Sequence, residues 1–124
     1  MTYQLKVEQK PTFLHAIITG QNSKENVLRY LEEVVQKCEA CHCRRVLIEE
    51  HLEGPRLKMM DIFNIVVEGS NKSRWKIDVI AYVDLNNQSD SMKFAETLAV
   101  NRGFTVSVFS NVADAEKWLL EKSR

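Results

Sequence analysis

Two short apolar segments, Val46, Leu47 and Ile48 and then residues 77–83, each lie between stretches whose apolar residues recur at helical spacing. An interior strand covered on both faces reads as a near-continuous hydrophobic run, and strands that alternate with helices imply right-handed crossover connections. The chain is thereby constrained to a mainly parallel sheet. Ahead of these, Tyr3, Leu5 and Val7 alternate with Gln4, Lys6 and Glu8, as in a strand with one wet face, and after Pro11 residues 13–19 resume a mostly apolar strand. These two strands predict an N-terminal antiparallel hairpin.

After Gly20, Asn22 and Glu25 can act as N-cap and N3 partner of a first helix carrying Val27, Leu28, Leu31, Val34, Val35 and Cys38. Residues 49–56 read as a polar loop leading to a second helix that begins near Leu57, with Met59, Ile62, Phe63 and Val66 on one face and Gly69, Ser70 and Asn71 as its stop. Residues 84–90 read as a polar turn, with Ser89 or Asp90 as the cap of a third helix. Met92, Ala95, Leu98 and Ala99 form the stripe of that helix, which Gly103 closes. Val106 and Val108 mark the last strand, and Asn111 with Asp114 caps a fourth helix holding Val112, Ala115, Trp118 and Leu119. The expectation is a single α/β domain over residues 1–124, with a mainly parallel sheet, an antiparallel hairpin and four helices. A chain of 124 residues, 44% hydrophobic, buries roughly two-thirds of its extended surface on folding, enough for a core without disulfides or structural metal.

Charge narrows the range of partners. The 17 Lys and Arg balance 17 Asp and Glu, so there is no bulk basic field to hold nucleic acid or an anionic membrane, and neither is expected as a partner. Residues 1–10 lack the apolar run of a secretory signal and no stretch approaches the ~20 apolar residues of a membrane span, which predicts a cytoplasmic protein.

Parallel strands send their C-terminal ends to one edge of the sheet, where ligands of open α/β folds bind. At that edge the 49–56 segment gathers Glu49, Glu50, His51, Glu53, Gly54, Pro55 and Arg56. Arg56 beside a helix N-terminus could grip an anion, and Glu50 with His51 could form an acid/base pair. The plainest account makes these charges a solvated loop shaped by Gly54 and Pro55. The turn that opens at Asp84 mixes Asp and Asn as calcium loops do, but without the glycine and distal Glu that such loops need. The four glycines, Gly20, Gly54, Gly69 and Gly103, are isolated, so no phosphate-cradling loop exists. Cys38, Cys41 and His42 match the C-x-x-C-H pattern of haem attachment, with Cys43 as a third thiol. Cys38 nonetheless continues the apolar stripe of the first helix and the others sit at its end, which explains all three through packing. No cofactor and no metal site is implied. His15 reads as a hydrogen-bonded sheet residue, and Trp75 and Trp118 as packing, with Trp75 beside Arg74 and Lys76 as a candidate contact surface.

Several segments carry a resemblance: Arg45-Val46-Leu47-Ile48-Glu49-Glu50, Ile77-Asp78-Val79-Ile80-Ala81-Tyr82-Val83-Asp84, Phe94-Ala95-Glu96-Thr97-Leu98 continuing to Gly103, and Val108-Phe109-Ser110-Asn111 continuing to Leu119. In this order, after a hairpin, they resemble the bacterial SpoIIAA-like proteins related to STAS domains, over nearly the whole chain. The resemblance implies a small non-enzymatic module that works through protein contact or ligand binding. In the anti-sigma-factor antagonists of that group a phosphorylatable serine follows the strand corresponding to residues 46–48. Here Glu53, Gly54, Pro55 and Arg56 stand in that place, and no Ser or Thr occurs between Arg45 and Glu68.

Three functions follow as expectations. The first is contact with a protein partner through residues 50–63, with Glu50, His51, Gly54, Arg56 and the second helix as the recognition surface and Asp84 on the same edge. The second is an anionic or amphipathic small molecule held between the second helix and the sheet by Arg56, Met59, Met60 and Phe63. The third, an enzyme using Glu50 and His51, is the weakest, since no nucleophile accompanies them. The first strand would also offer an unpaired edge for a homodimer.

Overall fold

The computed structural model describes residues 2–54, 57–73, 76–84 and 89–122. Among them the chain forms β1 (Tyr3–Gln9), β2 (Leu14–Gln21), α1 (Lys24–Ala40), β3 (Arg45–Glu53), α2 (Met59–Ser73), β4 (Val79–Asp84), α3 (Ser89–Asn101), β5 (Thr105–Phe109) and α4 (Val112–Lys122). The strands lie in the sheet in sequence order, with β1 antiparallel to β2 and the other neighbours parallel. Each crossover therefore steps the same way across the sheet. Right-handed connections then place α1, α2 and α3 on one face, and the opposite face is left for α4.

The two cores follow this division. Ala16 and Ile18 of β2 with Val46, Ile48 and Leu52 of β3 pack on Val27, Tyr30, Val34 and Cys38 of α1 and Ile65 of α2. On the other face Leu47, Val79, Ala81 and Val83 pack on Ala115 and Leu119 of α4. Trp118 extends that second core, its ring tilted against Phe109 at a centroid distance of 5.6 Å. No helix among the described residues is long and apolar enough to cross a membrane.

Three local expectations are corrected. The polar residues after Ile48 are strand, and β3 runs on to Glu53. Eight-residue β2 supplies pairing as far as Gln21 opposite Glu53, and β4 pairs from the other side as far as Asp84. Backbone pairing, on both flanks as far as Glu50 and with β2 alone from His51 to Glu53, outweighs the strand-averse composition of the segment. Secondly, the N-cap of α1 is Ser23, whose Oγ accepts from the Asn26 N–H at 3.1 Å, while Asn26 turns inward and its amide donates to the Gln21 carbonyl. Thirdly, α2 begins at Met59 and turns Ile62, Ile65 and Ser70 inward, leaving Met59, Met60 and Phe63 exposed. At the cap of α4, Asn111 Oδ1 accepts from the Asp114 N–H at 2.8 Å, as the sequence predicts.

The C-x-x-C-H segment forms the end of α1. The Cys43 N–H donates to the Cys38 carbonyl and the His42 N–H to the Glu39 carbonyl, the two bonds of a Schellman termination, whose left-handed position is His42 at φ 54°. Helix α3 ends in the same way with Gly103 at φ 94°, and there the Phe104 N–H reaches the Ala99 carbonyl. A side chain in left-handed backbone costs energy that glycine avoids. His42→Gly is expected to raise unfolding stability by about 1 kcal/mol, read from urea denaturation; a loss would show that the imidazole makes a contact worth more than the backbone relief.

Candidate functional site

Alternation along β3 sends successive side chains to opposite faces. Ile48, Glu50 and Leu52 face α1, α2 and α3; Leu47, Glu49 and His51 face the other way. Glu50 is consequently interior, 6% exposed. It meets Tyr30 of α1 and Tyr82 of β4, whose hydroxyls both donate to its Oε2, and the two hydroxyl oxygens lie 2.7 Å apart. Asp84 is also buried, directly opposite Glu50 in the β3–β4 register.

Burial pushes the Glu50 pKa up to about 7; the two tyrosine hydroxyls pull against that rise and the neighbouring Asp84 charge adds to it. Burial, followed by the Glu50 charge, drives both tyrosines well above their ordinary value. Three oxygens in mutual contact need three protons for three hydrogen bonds. The hydroxyls supply two, and the third is present only when Glu50 is protonated. The cluster thus holds a proton close to neutral pH.

This polar group borders an apolar cavity of about 170 Å³ between the sheet and the three helices. Val27 and Leu31 of α1, Ile62 and Ile65 of α2, Ala95 and Ala99 of α3, and Ile48, Ile80 and Val108 of the sheet line it. It exists because α2 packs on α1 and α3 and bridges them above the strands. Apolar cavities of about 150 Å³ stay dry and admit benzene. The space suits an aromatic ring or a short alkyl chain.

The opposite face carries a second polar cluster. Glu49 takes His15 Nε2 at 2.8 Å on Oε1 and His51 Nε2 at 2.5 Å on Oε2. Partial burial works against the Glu49 carboxylate, yet the bonds from His51 and His15 outweigh it and hold its pKa below the ordinary value. Among the described residues no group of three His, Cys, Asp or Glu side chains is arranged to hold a metal ion. The thiol of Cys38 lies in the core, where burial, with Cys43 and Cys41 nearby, pushes its pKa up to about 12.

The structure brings Glu50 and Asp84 together and separates them from His51, Gly54, Met59, Met60 and Phe63. His51 projects from the opposite face of β3, so the pairing of Glu50 with His51 as acid and base is corrected: neighbours in a strand cannot meet. Gly54 ends β3 at φ 110° on the surface. Met59, Met60 and Phe63 are 52%, 67% and 42% exposed, on the outside of α2 and away from the sheet they were expected to face. Arg56, Pro55, Trp75, the 85–88 turn and the side chains of Ser89, Asp90 and Met92 lie outside the described residues. Tyr30 and Tyr82 are the residues that sequence reasoning passed over. Tyr30 stands three residues after Val27 and four before Val34, a core position that could have identified it.

No family model and no curated protein matches the chain. Among solved structures, it is similar to an uncharacterised protein of the DUF3478 family with a SpoIIAA-like fold from Shewanella loihica PV-4, at TM-score 0.59 and 15% identity, over 94% of this chain and 93% of that one. The fold is SpoIIAA-like. The expected resemblance is thereby upheld at the level of architecture, and this SpoIIAA-like chain ends β3 at Glu53, with Gly54 following and no hydroxyl side chain along the strand.

A carboxyl group whose pKa is raised on folding binds more protons in the native than in the unfolded chain, so its contribution falls as pH rises from about 4.5 to about 7. The lowered pKa of Glu49 acts below that window, where its stabilisation is lost as pH falls. Glu50→Gln is expected to gain on the parent between pH 5 and pH 8 by up to about 3 kcal/mol, measured by urea unfolding at both pH values; parallel pH profiles would contradict it.

Proposed function

We propose that the protein binds a small, largely apolar molecule in the cavity beneath α2, with the polar end of that molecule at Glu50, Tyr82 and Asp84, and that it does not transform it. The observation that carries this reading is the partly open apolar space with a few convergent polar groups at its border, the usual make-up of a small-molecule site. Binding without catalysis is supported by the separation of Glu50 from His51 on opposite faces of β3.

Octanol is a suitable neutral probe. Its addition is expected to shift the methyl resonances of Ile48, Ile65 and Ile80 saturably, and Ala99→Phe, which fills the cavity, is expected to abolish the effect while the protein stays folded. Shifts confined to Met59, Met60 and Phe63, or none at all, would overturn the reading.

A second reading, contact with a protein partner through residues 50–63, is supported by the exposure of Met59, Met60 and Phe63 on one short stretch of α2. Replacing Met60 and Phe63 with lysine is expected to remove a partner captured from the host while leaving octanol binding intact; capture that survives the change would count against that surface. A homodimer through β1 belongs to the same class of proposal, since β1 is an edge strand. Its exposed Lys6 and partly buried Glu8 put charge on that edge.

A further inference from the structure

We propose that the molecule held in the cavity carries a cationic amine, received by Glu50 and Asp84, on an apolar body. This rests on reading the cavity as a ligand site and adds the charge of its occupant.

Two observations favour a cation. The described lining contains the carboxylates of Glu32, Glu50, Asp84 and Glu96 against one ammonium, Lys72. That ammonium is 3.3 Å from Glu32, and both side chains of the pair are about half exposed, so it neutralises the rim and not the interior. The interior pair is more telling. Glu50 and Asp84 are 6% and 8% exposed and stand directly opposite one another on adjacent strands. Like charges in that position repel, and the low dielectric of the interior strengthens the repulsion. Glu96 is outside that argument, since its Oε2 already pairs with the Lys93 ammonium at 3.7 Å.

An alkylammonium answers these features together. It brings three N–H donors and one positive charge, and both tyrosine bonds to Glu50 are made at Oε2, so neither engages Oε1. A carboxylate in the same place would add negative charge to an already acidic lining. A bare metal ion would have no use for the apolar walls.

Among the described residues the groups that face Glu50 are Tyr30 from α1 and Tyr82 and Asp84 from β4, with Glu32, Lys72 and Glu96 elsewhere in the lining. None of those nearest to Glu50 is basic. Receiving an amine requires Glu50 as the carboxylate, so binding releases the proton that the three-oxygen cluster holds and should strengthen as pH rises through neutrality.

The test compares octylamine, octanol and octanoate by calorimetry on the intact chain at pH 8 and pH 5.5, with Ala99→Phe as the control for binding outside the cavity. Octylamine is expected to bind about tenfold or more tightly than octanol at pH 8, to weaken at pH 5.5, and to lose most of that advantage in Glu50→Gln. Octanoate is expected to bind weakest of the three. Octanoate or octanol binding as tightly as octylamine would overturn the amine assignment and leave the cavity reading standing. Failure of all three to bind, or binding that persists in Ala99→Phe, would overturn both.

Discussion

The pairing of β3, with β2 from Val46 to Glu53 on one side and with β4 from Arg45 to Glu50 on the other, is the constraint on which the rest of the molecule depends. Ile18, Glu50 and Asp84 stand in one row across the three strands. A strand held on both flanks keeps its alternation regardless of which side chains it carries, so Glu50 is turned inward and Glu49 and His51 outward. A shift of one residue in that register would exchange the two sets and leave Ile48 and Leu52 on the wrong face. The hydrophobic residues therefore choose the register, and the carboxylate follows them into the interior.

What the interior provides is partnership without full neutralisation. Two tyrosine hydroxyls satisfy Glu50, and Asp84 opposite it adds the charge that helps to hold its proton. Buried polar networks are tolerated when each member has a partner, and they are costly when one is removed. The cluster borders the one face of the sheet on which three helices converge. Strand order alone brings them there, because each right-handed crossover advances the same way, and α2, resting on its neighbours, leaves the space below it.

Much of this was legible in the chain. The order of strands and helices, the hairpin, the Gly103 stop and the Asn111 cap follow from periodicity and turn chemistry, which are local properties. The misreadings share one cause. Residues 49–53 resemble a loop because composition counts them as polar, whereas in the sheet their environment is set by β2 and β4, which are distant in sequence. Met59 and Phe63 fit a helical stripe with Ile62, yet the face that α2 buries is set by where α1 and α3 lie, and that selects Ile62, Ile65 and Ser70. Ser23 took the cap from Asn22 because its extended backbone points its hydroxyl at the Asn26 N–H.

Sequence by itself determined the class of the fold, since hydrophobic spacing is encoded residue by residue and the handedness of crossovers is a property of L-amino acids. It also named Glu50 and Asp84 as candidates by their place at strand ends. Only the tertiary structure decided that they face each other at the border of an apolar cavity, that Tyr30 joins them, and that His51 does not. Those relations depend on register between strands and on how helices bridge a sheet, both of them long-range choices made by the packing of the whole core.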